Sequence, residues 1–137
     1  MRNRDNYRNQ QGQALVEGTA AMSLIFFSVT IAMYFILNAG MGMFFKEKLS
    51  GVCHSAAAYA AAHAGDSDVE GKTTEFVEEL MPQVGIAPYS LNVGVSEITV
   101  QENQGVQVTV QNTFPLFGSI NMLPSKIVLA DSEAVVF

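Results

Sequence analysis

Tryptophan is absent from this 137-residue chain, and cysteine occurs once, at Cys53. A single cysteine excludes an intrachain disulfide, so the fold must be held by packing and by its neighbours. Proline is nearly as scarce, with four residues and none before Pro82. Nothing in the first half therefore forces a helix to stop. Charge is missing locally: residues 18–45, from Gly18 to Phe45, contain no Asp, Glu, Lys, Arg or His. At about 1.5 Å per residue this run spans about 42 Å as a helix, against roughly 30 Å for the hydrocarbon core of a bilayer. Lipid offers the backbone no hydrogen-bond partner, so an inserted segment of this kind is helical. A cleaved secretory signal has an apolar region of only about 7–15 residues, too short to describe this run, although the small residues of Ser55–Ala64 resemble a cleavage region. No P-loop, dinucleotide fingerprint or Ser-His-Asp arrangement is present, and nothing points to an enzyme or to a bound cofactor.

The charges that do occur are informative by position. Arg2, Arg4 and Arg8 precede the run, with Asp5 among them, while Lys46 and Lys48 follow it around Glu47. The basic excess is N-terminal, which predicts a chain with its N-terminus inside and its C-terminus outside. The formal net charge is −6, and without residues 1–12 it becomes −8. A balance this acidic speaks against nucleic acid, or anionic lipid, as the partner of the exported part.

Residues 1–12 are rich in Arg, Asn and Gln, have no apolar face and are expected to be disordered. From Gln13 a helix is expected to run to Ala64, about 76 Å over residues 14–64. Gly40, Gly42 and Gly51 weaken it and allow a bend. Leu49, Val52, Cys53, Ala56, Ala60 and His63 recur at three- and four-residue steps, with Tyr59 beside them, forming the stripe of an amphipathic helix. Ala64-Gly65-Asp66-Ser67 reads as a glycine cap and loop. A second helix is predicted over Thr73–Met81, with Phe76, Val77 and Leu80 on one side, ended by Pro82 and Gly85. After Pro88 the period becomes two. Leu91, Val93 and Val95 alternate, then parity slips to Ile98 and Val100, which predicts a bulge near Ser96-Glu97. Glu102–Gly105 reads as a hairpin turn, and Val106, Val108, Val110 and Phe114 form one face of the next strand. Pro115–Pro124 reads as a loop. Ile127–Ala130 and Ala134–Phe137 are expected as final strand segments broken at Asp131. The fold class is α+β: a long N-terminal membrane-spanning helix whose C-terminal half packs on a small antiparallel sheet. The expected segments are 1–12 as a leader, 13–45 in the membrane, 46–64 as the exported half of the helix and 65–137 as a small exported α+β region.

Glu17 is the first candidate for function. A carboxylate deep in a membrane helix costs about 2.5–3.5 kcal/mol, whereas one at the interface stays hydrated. If the peptide bond after Gly12 is cut, Gln13 acquires a free amine one helical turn from Glu17, or within reach of Glu17 on another subunit. Ammonium and carboxylate then neutralise each other where attraction is strong.

The sequence Gly12-Gln13-Ala14-Leu15-Val16-Glu17, after a basic leader and before an apolar run, resembles the class III signal of type IV pilin-like proteins. It is most similar to the TadE-like minor pilins and pseudopilins of the tight-adherence (Tad/Flp) system. The resemblance implies cleavage between Gly12 and Gln13 by a prepilin peptidase and a role for Glu17 in assembly. It further implies other pilin subunits, a pilus assembly platform and the bacterial inner membrane as partners, an adhesive pilus as product, and a final place in the periplasm or an extracellular pilus. Gln13 replaces the phenylalanine that commonly starts classical type IV pilins, and Gly18 follows Glu17 where tyrosine or phenylalanine is frequent. Removal of 12 residues leaves 125, too long for a typical major Flp subunit, which favours a minor one. A type II secretion pseudopilin and an uncleaved single-span periplasmic scaffold or binding protein are the alternatives.

Other chemistry-bearing residues invite simpler readings. Cys53, His54 and His63 do not share one helix face at ligand spacing, so no metal site is expected from them. Cys53 reads as a small core residue. Glu75, Glu78 and Glu79 form a solvated helix face, and the Met-rich span is apolar filler. Asp66, Ser67, Asp68 and Glu70 include calcium-ligand types but lack the EF-hand pattern.

Overall fold

The computed structural model describes residues 2–116 and 126–136, with side chains from Gly12 onward. The described elements are α1 (Arg2–Ala62), α2 (Val69–Gln83), β1 (Asn92–Val100), β2 (Asn103–Pro115) and β3 (Lys126–Val136). The layout is α+β, a long apolar helix followed by a three-stranded antiparallel sheet in the order β1-β2-β3. The chain divides into two compact units, Met1–Leu37 and Asn38–Phe137. The second unit thus takes in the last eight residues of the charge-free run.

Helix α1 starts at Arg2, so residues 2–12 are helical where disorder is expected, and Met1 lies outside the described residues. Arg and Gln are good helix formers, no proline intervenes, and a formed helix extends more easily than it nucleates. The helix continues through Gly40, Gly42 and Gly51. It ends at Ala62 through short turns, in which His63 N–H donates to the Ala60 carbonyl at 3.1 Å and Asp66 N–H to the His63 carbonyl at 2.9 Å. Gly65 does not have the left-handed conformation of a glycine cap.

That device appears at the end of α2 instead. Gly85 has φ 80°. Its N–H donates to the Pro82 carbonyl, and Ile86 N–H to the Met81 carbonyl, the paired bonds of a Schellman motif. Met81 and Ile86 are both buried, supplying the apolar contact that accompanies the motif. Helix α2 is longer than expected at both ends. Asp68 caps its start by accepting from Gly71 N–H at 3.1 Å. Pro82 lies inside the last turn rather than ending it.

The core of the second unit lies between α1, α2 and the inner face of the sheet. Helix α1 contributes Leu49, Val52, Cys53, Ala56, Ala57 and Ala60, as the three- and four-residue spacing predicts. Small side chains let the sheet approach, and β2 covers them with Val106, Val108, Val110 and Phe114. Phe45 stacks on Phe114 at 4.5 Å, and Tyr59 on Phe76 at 4.5 Å. Each fully buried large apolar side chain stabilises the unit by about 1.5–3 kcal/mol relative to exposure.

Three details of the sheet differ from expectation. The β1–β2 register runs without a bulge, with Ser96 opposite Gln107 and Glu97 opposite Val106. Parity does not slip: Glu97 occupies an inward position and stays exposed, while Ile98 lies on the other face. The hairpin turn is Gln101-Glu102, closed by Val100 opposite Asn103, with φ 50° and 76° at its two residues. This is the two-residue turn whose twist matches the strands, built here without glycine. Finally, β3 is continuous through Asp131, which lies opposite Val110. Pro115 ends β2 as expected, and most of the expected loop 115–124 lies outside the described residues.

Candidate functional site at the start of the apolar helix

Gly12, Gln13 and Glu17 all lie in α1 and are all exposed. Gln13 and Glu17 are four residues apart, one above the other on the helix surface. The Gln13 side-chain amide donates to the Glu17 carboxylate, Nε2 to Oε1, at 3.3 Å. Gly12 lies five residues from Glu17, about 140° around the axis, and does not share that face. The structure therefore brings Gln13 and Glu17 together and leaves Gly12 apart. The Gly12–Gln13 peptide bond is itself helical. Gly12 is the sole glycine before Gly18, and opening the helix there is easier by roughly 1 kcal/mol than at alanine.

Beyond Glu17 the helix surface is apolar and bare. Large side chains from Leu15 to Phe44 point outward, with Phe26 76% exposed. Among the described residues this is the one helix long and apolar enough to cross a membrane. Its hydroxyls are already satisfied. Thr19 donates to the Leu15 carbonyl at 2.8 Å, Ser23 to Thr19 at 2.9 Å, Ser28 to Leu24 at 2.8 Å and Thr30 to Phe26 at 2.9 Å. Each returns to the carbonyl four residues back, so none of these four hydroxyls needs a partner from outside.

In the second unit the polar side chains are structural. Lys46 Nζ donates to the Asp131 carboxylate and to the Ala130 carbonyl, both at 2.7 Å. This ammonium holds the Asp131 carboxyl below its ordinary range. His54 Nδ1 lies 3.3 Å from Glu133 Oε1. Both acids occupy inward positions of β3, between Leu129 and Val135 on the same face, and both meet α1. Sequence reasoning missed these pairs. The available signal was their parity with Ile127, Leu129 and Val135. Cys53 is buried and its thiol lies 3.4 Å from the Val108 carbonyl. His63 stacks on Tyr59 at 4.3 Å, so Cys53, His54 and His63 go to three different environments. In the acidic loop, Asp66 pairs with Lys72 at 2.6 Å, which lowers its carboxyl pKa, and Asp68 caps α2. Among the described residues no group of three or more His, Cys, Asp or Glu is arranged to hold a metal.

Asn112 is fully buried and uses its side chain to fix the segment before β1. Its Oδ1 accepts from Tyr89 N–H at 2.9 Å and its Nδ2 donates to the Ala87 carbonyl at 3.2 Å. Thr113 N–H completes the clamp on the Tyr89 carbonyl at 3.0 Å. Comparison with protein-family models, with curated proteins and with solved structures finds no match to this chain.

Proposed function

We propose that this chain is a membrane-anchored, pilin-like structural subunit, trimmed after Gly12 and assembled with other pilin subunits through its apolar helix. The observation that carries the reading is the helix surface from Leu15 to Phe44, apolar, exposed and with its Thr and Ser hydroxyls paired at home, beginning just after Gly12 and carrying Glu17 near its start. Such a surface suits lipid first and the flanks of neighbouring helices later. In the untrimmed chain the Gln13 amide is the partner of Glu17. Trimming adds an ammonium at the same residue, a stronger partner for the same carboxylate. The resemblance of Gly12–Glu17 to a class III signal supports a minor pilin or pseudopilin of a Tad/Flp-type adhesive pilus, with a prepilin peptidase and an assembly platform as partners. The type II secretion pseudopilin shares these features.

N-terminal sequencing of the protein from cells with and without the peptidase tests the reading. The expected result is a chain beginning at Gln13 only when the peptidase is present. A chain beginning near Met1 in both would refute trimming and favour the second reading, an uncleaved single-span scaffold. The helical state of the Gly12–Gln13 bond favours that second reading, because a protease must first unwind it. Glu17→Ala is expected to leave trimming intact and to lower the amount of subunit in sheared filaments. Wild-type incorporation would remove Glu17 from assembly.

A further inference from the structure

Two ends of the second unit differ in chemistry. At one end, Phe45 stacks on Phe114, and the Asn112–Thr113 backbone and side chain hold the Ala87–Tyr89 segment beside it. Lys126 lies opposite Pro115 at the same end. Ile127 and Leu129 line an apolar groove with Ala39, Gly42 and Met43, residues of the charge-free run. At the other end, Asp66, Ser67 and Glu70 share a hollow with Glu97 and Val106, and Glu102 sits in the adjacent hairpin turn.

Charge follows the same axis. Of the four lysines in this unit, Lys46, Lys48 and Lys126 belong to the first end, and Lys72 to the second. Residues 80–96 and 103–125, which include the segments around Tyr89 and Phe114, contain no charged side chain. The net charge of −8 expected for the exported part therefore averages a first end, where Lys46, Lys48 and Lys126 outnumber Glu47 and Asp131, with a strongly acidic second one. An argument from the total against lipid contact does not apply to the first end.

Tyr89 makes the case specific. A fully buried asparagine and a strained residue, Ser90 at φ 50°, are spent on holding this short segment. Yet Tyr89 itself is 57% exposed. An exposed tyrosine held in place at an end that also carries Lys48, Lys126 and an apolar groove matches the composition of the membrane–water interface. The length of the first unit suits an anchor: Gly18–Leu37 would span about 30 Å as a helix, the thickness of the hydrocarbon core.

We propose that the second unit rests on the bilayer by this end, with Tyr89 and the Ile127–Leu129 groove in the headgroup layer and Lys48 and Lys126 facing lipid phosphates, Lys46 being held by Asp131. The inference rests on the anchoring part of the proposed function. The absence of tryptophan allows a direct test with single-tryptophan variants of the full chain in vesicles of phosphatidylcholine and phosphatidylglycerol. Tyr89→Trp preserves the clamp, which uses backbone atoms of residue 89. Ser67→Trp reports the acidic end, and Phe26→Trp reports the apolar helix. With quenchers placed near the lipid headgroup, Tyr89→Trp is expected to be roughly twofold or more better quenched than Ser67→Trp. With quenchers placed deep in the acyl chains, Phe26→Trp is expected to be the most strongly quenched. Equal, weak quenching of Tyr89→Trp and Ser67→Trp alongside a quenched Phe26→Trp would overturn this proposal and leave anchoring standing. An unquenched Phe26→Trp would overturn both. A shielded Tyr89→Trp that lipid quenchers do not reach, with shielding that grows with protein-to-lipid ratio, would assign the surface to another protein copy and overturn the lipid proposal.

Discussion

Phe26 and Phe114 are the same residue in opposite situations. Phe26 stands 76% exposed on a helix surface with no covering layer, and Phe114 is 2% exposed beneath α1. The two units are both apolar, but they sort side chains by size in opposite ways. In the first unit the large residues, Leu24, Ile25, Phe26 and Phe27, project outward. In the second, α1 buries Leu49 and Val52 and then a run of small residues, Cys53, Ala56, Ala57 and Ala60, against the strands. Hydrophobicity alone does not say which face is covered. Small residues at helical spacing mark a face covered by the chain itself, whereas bulky residues all round mark one covered by lipid or other helices.

The sharpest contrast would come at Gly12, where trimming is proposed. Gly12→Leu is expected to abolish trimming while leaving the second unit folded, read as an unchanged intact mass with native thermal unfolding. The phenylalanines give the next contrast. Phe114→Ala is expected to destabilise the second unit by about 3–5 kcal/mol. Phe26→Ala is expected to change it by less than about 0.5 kcal/mol, both measured by chemical denaturation in detergent. Equal effects would mean that the two units unfold as one. Glycines repeat the comparison more gently. A Cβ at Gly105 would lie 2.7 Å from the Val135 carbonyl oxygen, so Gly105→Ala is expected to cost about 1–3 kcal/mol. A Cβ at Gly40 meets nothing within 4 Å, and Gly40→Ala is expected to stabilise the helix by up to about 1 kcal/mol.

The smallest effect is electrostatic. The carboxyl of Asp131 is held below its ordinary pKa, first by the hydrogen bond from Lys46. A carboxyl depressed in the folded state stabilises above its unfolded pKa, and the contribution is lost as pH falls through the folded value. Between about pH 5 and strongly acidic conditions, wild type should lose up to roughly 1 kcal/mol more stability than Asp131→Asn, the pair being partly solvated. Identical acid titrations of stability would show that Lys46 and Asp131 contribute nothing together.

The sequence was most legible where a pattern is local and one-sided. The stripe Leu49–Ala60 and the alternation Val106–Phe114 each describe a single element, and both face the core. Misreadings arose where a charged residue stood at an inward position. Glu97 and Asp131 looked like interruptions, yet the strands pass through both. The reason for Asp131 lies 85 residues away, in Lys46, beyond any window of local pattern. The turn at Gln101-Glu102 was displaced because neither residue is the glycine or asparagine that usually announces left-handed backbone. Of the candidate site, Gln13 and Glu17 are adjacent as their spacing requires. The helix through Gly12 was not legible, because composition suggested a solvated tail while propagation from a long helix decided otherwise.

The hydroxyls of Thr19, Ser23, Ser28 and Thr30 have a consequence for exchange between environments. Each keeps its hydrogen bond within the helix, whatever surrounds it. Moving this segment from acyl chains to a flank of protein breaks none of those bonds and requires no new ones. Desolvation of these groups is settled once, when the helix forms. What then distinguishes one neighbour from another is the fit of Phe, Met, Leu and Ile against its shape, a preference that can be reversed as readily as it is satisfied.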